Sequence, residues 1–340
     1  MTPAALGPLP LGARRRRQSS HGARHGGSVA VVVFGLLAVL TVRLVSPRGN
    51  GGAAAGSALV PSTTPRAKVI VTDVDGTLMD SSHRLPPANR RALRRCLEQG
   101  IPVVLATGKH RGPWVQNLIA SIVGDGLEAA SSWTLNAPGV FVQGLLVCNA
   151  SGSVVHRQLL PPKVVRMCGE AAQERGWTVL AYTDDDRIVS NRADPQTERL
   201  RPLQEPLVEV GPVEEVASHK MLFLADPAEE DAVRSAVATI VSQDASMTVA
   251  IPGMVEVLPQ GASKADGVKV ALRLLGRSPS EALALGDGEN DVELLRLVGE
   301  SGGVAAAVAN ARQALKDVAG AIVATCDEGG WAEAVERWVL

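Results

Sequence analysis

The sequence predicts an α/β fold: a Rossmann-like parallel sheet flanked by helices, with an α+β domain inserted into it. Three observations carry that prediction. Short runs of β-branched residues alternate with amphipathic helical stretches, and strand-helix-strand units of this kind build parallel sheets. Three of the apolar runs end in polar, glycine-containing turns, at residues 73–77, 107–109 and 286–291. Between residues 159 and 257 the alternation gives way to a different mixture of strands and helix.

The elements follow in chain order. Val69, Ile70 and Val71 read as a strand that ends in "DVDGT", where Gly76 supplies the turn. In "PPANRRALRRCLEQG" the residues Ala88, Ala92, Leu93, Cys96 and Leu97 recur at helical spacing and Gly100 stops the helix. "IPVVLATGKH" then repeats the strand-into-turn pattern. Within the insertion, "EEDAVRSAVATIVS" reads as a helix, and "KMLFLAD" and "MTVAI" read as strands. "EALALGDGENDVELLRLVG" gives a strand over 282–285, a polar loop and a helix, and a weaker strand follows over 321–324. The expected organisation is a leader over 1–65, a sheet domain in two parts over 66–158 and 258–340, and the insertion over 159–257.

Composition narrows the function. The chain has 340 residues, 46% of them apolar, enough for a sizeable core. Lys and Arg number 34 against 35 Asp and Glu, so no net field draws the chain to nucleic acid, and 3% aromatic residues supply no stacking platform for single strands. No nucleic-acid partner is expected. Cys96, Cys148, Cys168 and Cys326 are scattered without a Cys-x-x-Cys pair, which fits buried thiols in a reducing compartment.

The leader differs from the rest. Residues 14–17 are all Arg, "SVAVVVFGLLAVLTV" over 28–42 carries no charge, a Gly/Ala/Ser/Pro-rich stretch runs to residue 65, and no Asp or Glu precedes Asp73. This reads as targeting plus linker. As a helix, residues 28–42 would extend about 22 Å, short of a hydrocarbon core of about 30 Å. Spanning requires Arg43 to snorkel. A basic region before a short apolar run fits a signal or anchor, and an acid-free leader with Arg and Ser has organelle-transit character. The expectation is a plastid-type organelle, or a membrane reached through residues 28–45.

Four clusters carry chemistry. Asp73 and Asp75 do not open an EF-hand loop, which needs Gly sixth and Glu twelfth, where this chain has Leu78 and Arg84. A solvated turn and the metal-binding Asp-x-Asp of a nucleotide-sugar transferase both stay open on these residues alone. Thr107 in "ATGK" offers a hydroxyl and turn N–H groups of the kind that hold phosphate oxygens, or is a plain polar turn. Lys264 in "PQGASKADGVKVAL" either neutralises a carboxylate and a phosphate together or is a surface lysine at a helix start. "GDGEND" places Asp287 and Asp291 four apart, hard oxygen donors that suit Mg²⁺. Helix capping explains one of these two carboxylates, not both. The acidic run "TDDDR" over 183–187 reads as a solvated loop rather than a second metal site.

Taken in order, Asp-x-Asp-Gly-Thr, Thr-Gly, Lys and Gly-Asp-x-x-Asn-Asp resemble the motifs of a haloacid-dehalogenase (HAD) superfamily phosphatase. The chain is most similar to the Cof-type branch, whose type IIB α+β cap lies between the second and third motifs. The resemblance covers about residues 66–340 and rests on "DVDGTL", "GASKADGV" and "GDGENDVELL". It implies that Asp73 is the nucleophile that accepts the phosphoryl group, and that Asp75 protonates the leaving group and then activates water. It also implies that Thr107, Gly108 and Lys264 hold the phosphate, and that Mg²⁺ sits on Asp73, Asp75 and Asp287 with Asn290 and Asp291 in support. The implied substrate is a small phosphorylated metabolite such as a sugar phosphate or flavin mononucleotide. A phosphomutase or a sugar-phosphate-specific relative is the nearest rival, and a non-catalytic binding protein of the same fold is the rival from another class.

Three positions depart from the pattern. Lys109 stands where an Arg is usual, "VFVQGLLVCNASG" replaces a common Asn-Gly, and "VAAAVANA" replaces a Met-Gly-Asn-Ala. Substrate choice is expected to lie in the insertion, with Asp185, Arg187 and Arg192 as candidate contacts to the leaving group.

Overall fold

Val69–Thr72, four consecutive buried residues, form β1. The structure, a computed structural model, describes residues 67–123, 135, 137–249 and 251–340. After β1 the chain makes a tight turn and continues through α1 (Pro87–Glu98), β2 (Val103–Leu105), α2 (Pro113–Val123), β3 (Gly139–Phe141), β4 (Leu146–Cys148) and β5 (Val154–Arg157). Its middle contributes α3 (Pro162–Arg175), β6 (Thr178–Thr183), β7 (Ile188–Ser190), β8 (Val208–Val210), β9 (Ser218–Leu224), α4 (Glu230–Val241), β10 (Ala245–Val249) and β11 (Met254–Pro259). The final part adds α5 (Lys264–Leu274), β12 (Ala282–Gly286), α6 (Val292–Glu300), β13 (Val304–Val308), α7 (Gln313–Lys316), β14 (Ala321–Val323) and α8 (Gly330–Trp338).

One sheet runs β14-β13-β12-β1-β2, every pair parallel. Its strands β1, β2 and β12 are wholly buried and almost entirely apolar, as expected where helices cover both faces. Val71 lies opposite Ala284 on one side and Val104 on the other, so β12, β1 and β2 end side by side. In open α/β sheets ligands bind at such carboxyl ends. The tip of β1 is braced from below. Trp331 Nε1 donates to Thr72 Oγ1 at 3.0 Å, and buried Asn89 links Leu78 O (2.9 Å) to the Ala332 N–H (3.1 Å).

A second sheet, β10-β11-β9-β6-β7-β8, is antiparallel apart from the β7–β8 pair. Its side chains alternate with period two. Val179, Ala181, Met221, Phe223, Val255 and Val257 bury with Val164 and Cys168 of α3 and Val233 and Val237 of α4. The alternate residues Leu180, Tyr182, Leu222, Met254 and Leu258 join instead the core that runs through the parallel sheet. One face of this inserted cap is therefore turned toward the strand tips. β3, β4 and β5 make a small antiparallel sheet beside β2, bridged through Ala106 and Val140.

The strands and helix expected around 69–71, 220–226, 247–251, 282–285 and 321–324 and over 229–242 are present, residue 250 lying outside the described residues, with β11 running to Pro259, past the expected boundary at 257. The sequence reading missed β13, because "VAAAV" is mostly alanine, a poor strand former held here by burial between β12 and β14. All four cysteines are buried and free. Among the described residues no helix is long and apolar enough to cross a membrane. The leader over 1–65 and the anchor expected over 28–45 lie outside the described residues.

Candidate active site

Asp73 extends the β1 ladder, its N–H donating to Leu285 O at 3.0 Å, so its side chain leaves the sheet at the strand tip. The chain then turns through Gly76 at φ +73°, where a Cβ would stand 2.5 Å from Asp287 Oδ2. Only glycine permits both the left-handed backbone and that approach. Thr77 Oγ1 donates to Asp287 Oδ1 at 3.1 Å, which ties the first loop to the loop after β12. Lys264, the first residue of α5, is fully buried, with Nζ 2.6 Å from Asp73 Oδ1 and 2.8 Å from Asp291 Oδ1. The other oxygen of Asp291 accepts the Asp287 and Gly288 N–H groups, each at 3.1 Å. Asp291 thus orients Lys264 and shapes the loop.

Carboxylate oxygens of Asp73, Asp287 and Asp291 all lie within 4.8 Å of one another, facing one ammonium. Burial, with Asp291 and Asp287 adding to it against Lys264, pushes the Asp73 carboxyl well above its ordinary range. Burial and then Asp291 push Asp287 up to about 6. Burial opposes the charge on Lys264, but Asp291 and Asp73 hold it firmly protonated. A buried excess of carboxylates over cations is a donor set that fits a hard divalent cation.

Asp75 sits in the opposite environment. Lys109 Nζ lies 2.8 Å from Asp75 Oδ2, and His83 Nδ1 lies 3.1 Å from Oδ1. Burial works to raise its carboxyl, but Lys109 and His83 outweigh it and hold the group below its ordinary range. Lys109 is itself fixed over the Trp114 ring, 4.4 Å from the centroid. The lysine that stands where an Arg is usual is thus the partner of the second aspartate.

The loop after β2 places Thr107, whose Oγ1 accepts the Lys109 N–H at 3.1 Å, and Gly108. It is held by the turn after β3, where Val142 N–H donates to Lys109 O (2.9 Å) and Gln143 N–H to Thr107 O (3.0 Å). Val142 and Gln143 have left-handed φ of +49° and +60°, an uncommon state for a branched residue and one that surrounding contacts must enforce. Gln143 joins the loop after β12 to the cap strand β11: Asn290 Nδ2 donates to its Oε1 at 2.9 Å, and its Nε2 donates to Glu256.

Asp73, Asp75, Thr107, Gly108, Asp287 and Asn290 therefore line one cavity of about 340 Å³, with Lys264 and Asp291 bonded behind Asp73. The cap supplies its opposite wall, from residues the sequence reading missed. Lys220 Nζ donates to Glu256 Oε1 at 2.6 Å and to Gly108 O at 2.7 Å, and lies 4.1 Å from the centre of the Tyr182 ring. Tyr182 Oη donates to Glu205 Oε1 at 2.9 Å. The available signal was a charge inside an apolar strand, in "HKMLFL" and "MVEVL".

The cap residues named from sequence lie elsewhere. Arg187 pairs with Asp185 (2.8 Å) and Glu209 (3.0 Å), and Arg192 donates to Gly176 O at 2.8 Å; none of the three lines the cavity. They sit at and beyond the β6–β7 turn, and charges that can satisfy one another in a hairpin do so. The acidic run is likewise paired, Asp184 with Arg157 and Asp186 with Arg111.

Residues 70–335 match the model of the haloacid dehalogenase-like hydrolases. Among known proteins, the chain is 34% identical over 286 residues to an Arabidopsis thaliana protein named endoribonuclease YBEY, chloroplastic; the match takes in 81% of this chain and 47% of that protein, so the chain spans about half its length. It is 24% identical over 275 residues to the 5-amino-6-(5-phospho-D-ribitylamino)uracil phosphatase YcsE of Bacillus subtilis, covering 80% of this chain and 96% of that one. A solved structure of a haloacid dehalogenase-like hydrolase from Bacteroides thetaiotaomicron matches with a TM-score of 0.66 at 28% identity, over 80% of this chain and 99% of that one. The family match takes in strands of all three sheets and every loop of the cavity, and the chain belongs to the haloacid dehalogenase-like hydrolase family.

Proposed function

We propose that this chain, a phosphatase of its family, is a Mg²⁺-dependent phosphomonoesterase that hydrolyses a small phosphorylated metabolite through an aspartyl-phosphate on Asp73. The observation that carries the reading is the divided environment of two aspartates at one strand tip: Asp73 against Lys264 and the acidic cluster, Asp75 against Lys109 and His83. Carboxylates in environments this different take different roles, and Lys264, working against burial, favours the ionised Asp73 that attack on phosphorus needs.

Asp73 attacks phosphorus while the ester oxygen departs, and Asp75 gives that oxygen a proton. Water then attacks phosphorus, Asp75 takes the water's proton, and the bond to Asp73 breaks. Lys264 holds Asp73 in line and offsets its charge. The Thr107 hydroxyl and the Gly108 N–H hold phosphoryl oxygens. Lys109 keeps Asp75 ionised at rest, and a phosphate that draws Lys109 away lets Asp75 carry a proton. Asp73 and Asp287 would hold Mg²⁺ by their side chains and Asp75 by its backbone carbonyl, with Asn290 and Asp291 in support. Bound there, the metal offsets the charge of a carboxylate meeting a phosphate.

In this reading residues 66–158 and 258–340 form the phosphoryl-transfer core, and residues 159–257 form the cap over it. The net charge of -1 and the 3% aromatic content support a metabolite over a nucleic acid. The acid-free leader and the chloroplastic name of the Arabidopsis relative support a plastid setting. The test is phosphate release from p-nitrophenyl phosphate and a panel of phosphorylated metabolites, with Mg²⁺ and with EDTA. Metal-dependent release is expected, and a folded protein inert toward the whole panel contradicts the reading.

A further inference from the structure

We propose that Lys220 of the cap is a positioning residue for phosphoryl transfer: by holding Gly108 O it fixes the Gly108–Lys109 peptide, and with it the two groups that meet the phosphate, the Thr107 hydroxyl and the Gly108 N–H. The proposal rests on the phosphatase reading above and concerns how the phosphate loop keeps its shape, not which alcohol leaves.

Three successive carbonyls of that loop are taken, the middle one by a different kind of partner. Thr107 O accepts the Gln143 N–H at 3.0 Å and Lys109 O accepts the Val142 N–H at 2.9 Å, both from the turn after β3. Gly108 O, between them, accepts at 2.7 Å from Lys220 Nζ, which reaches across from β9 of the cap. The N–H of the same peptide, that of Lys109, donates to Thr107 Oγ1 at 3.1 Å. The Thr107 oxygen has thereby accepted once, and neither its own proton nor the Gly108 N–H has a partner among the described residues. Both are free to donate to phosphoryl oxygens.

Gly108 does not hold this arrangement by itself. A Cβ on it would stand 2.6 Å from Gln143 Nε2, so the close approach demands glycine, and the backbone beside a glycine rotates at little cost. A turned peptide would withdraw the Lys109 N–H from Thr107 and let the hydroxyl point elsewhere. An ammonium on the carbonyl opposes that rotation, and it polarises the peptide so that its N–H donates more strongly.

Lys220 is itself firmly placed. Glu256 Oε1 lies 2.6 Å from Nζ, the centre of the Tyr182 ring lies 4.1 Å from it, and the side chains of Lys220 and Glu256 are only 2% and 6% exposed. Glu256 is held in turn by Gln143. A buried ion pair adds little stability over apolar side chains of similar volume. The bond to Gly108 O gives this one a use, since it sets the phosphate loop only while β9 lies against it.

The test measures hydrolysis of p-nitrophenyl phosphate in Mg²⁺ and its inhibition by orthovanadate, which takes up the five-coordinate geometry of a transferring phosphoryl group and carries no leaving group. Full-length parent and two variants are compared, with all rates taken below the lowest melting temperature. Lys220→Met strands the Glu256 charge and should melt lower. Lys220→Met combined with Glu256→Gln removes both charges, keeps an acceptor for Gln143 and should melt close to the parent, which separates fold from function. In that double variant kcat/KM should fall about 10²-fold, the scale of a small misplacement at the reacting group, and orthovanadate should inhibit more weakly by a similar factor. Parental kcat/KM in the double variant would reduce Lys220 to half of a buried ion pair, and a fall in kcat/KM with orthovanadate inhibition unchanged would place Lys220 at the leaving group; either result overturns the proposal. A folded parent inert toward p-nitrophenyl phosphate overturns the phosphatase reading, whereas an active parent beside an equally active double variant overturns this proposal alone.

Discussion

The ammonium of Lys264 stands 2.6 Å from the carboxylate of Asp73, joining residues 191 positions apart, and no part of the lysine side chain is exposed. A buried charge persists only where it is paired. Lys264 is therefore the cation that offsets the negative charge gathered where Asp73 and Asp291 lie buried side by side.

Lys264→Met should leave both carboxylates without their cation. Breaking a buried pair from one side costs about 3–5 kcal/mol, and loss of one preorganised charge at the phosphoryl group should lower kcat by about 10²–10³. Urea unfolding and steady-state phosphate release measure the two effects. A variant as stable and as active as the parent would show that the contact is incidental.

Lys109 and His83 hold the Asp75 carboxyl below its ordinary value, so the group contributes stability that is present above that ordinary value and is lost as pH falls through the lowered one. Lys109→Met removes the larger cationic contribution. The acid-side loss of stability should then shrink, because the folded-state value moves back toward the ordinary one, and the limb of the pH–rate profile that reports Asp75 should move upward. Urea midpoints and kcat profiles taken from neutral to acid pH are the measurements, and coincident curves for parent and variant would sink the assignment.

Asp287 titrates near 6 because burial and Asp291 oppose its charge. A carboxyl raised in the folded state favours the fold at low pH, and that advantage disappears as pH rises through about 6. Mg²⁺ on these carboxylates should thus raise Tm, and more so above pH of about 6, where no proton competes; a hundred-fold excess over Kd corresponds to about 2.7 kcal/mol. Asp287→Asn should stabilise the metal-free protein and abolish the Mg²⁺ shift. Thermal melts decide the matter, and a full shift retained by the variant places the ion elsewhere.

Gln143 is the joint between Asn290 and Glu256 of the cap, and it holds a left-handed backbone. Gln143→Ala should cost about 1–3 kcal/mol by leaving buried polar groups without a partner. Gln143→Gly should cost less, because glycine relieves the backbone. Equal losses in chemical denaturation would mean that the strain is not real.

The phosphate half of the site was legible in sequence because each loop presents its residues consecutively after a buried strand: Asp73 to Thr77, Thr107 to Lys109, Gly286 to Asp291. Parallel pairing of β12, β1 and β2 then brings the loops together. The cap half was not legible. Tyr182 becomes a neighbour of Lys220, and Glu256 of Leu222, only through the register of three antiparallel strands, and a one-residue slip would turn each side chain to the other face. Asp185, Arg187 and Arg192 form a polar cluster in sequence, yet Arg187 pairs with Asp185 and Glu209 and Arg192 bonds Gly176 O, all within the cap itself.

The central claim is that Asp73 carries the phosphoryl group. The direct measurement is acid quenching of the enzyme during turnover of a phosphate ester with Mg²⁺, followed by borohydride reduction, which converts an acyl phosphate to an alcohol, and mass spectrometry of the peptide that contains Asp73. Homoserine is expected at position 73 only after turnover, and none in Asp73→Asn, whose phosphate release should also be lost. Steady hydrolysis with an unmodified Asp73 peptide, or near-parental turnover by Asp73→Asn, would contradict it.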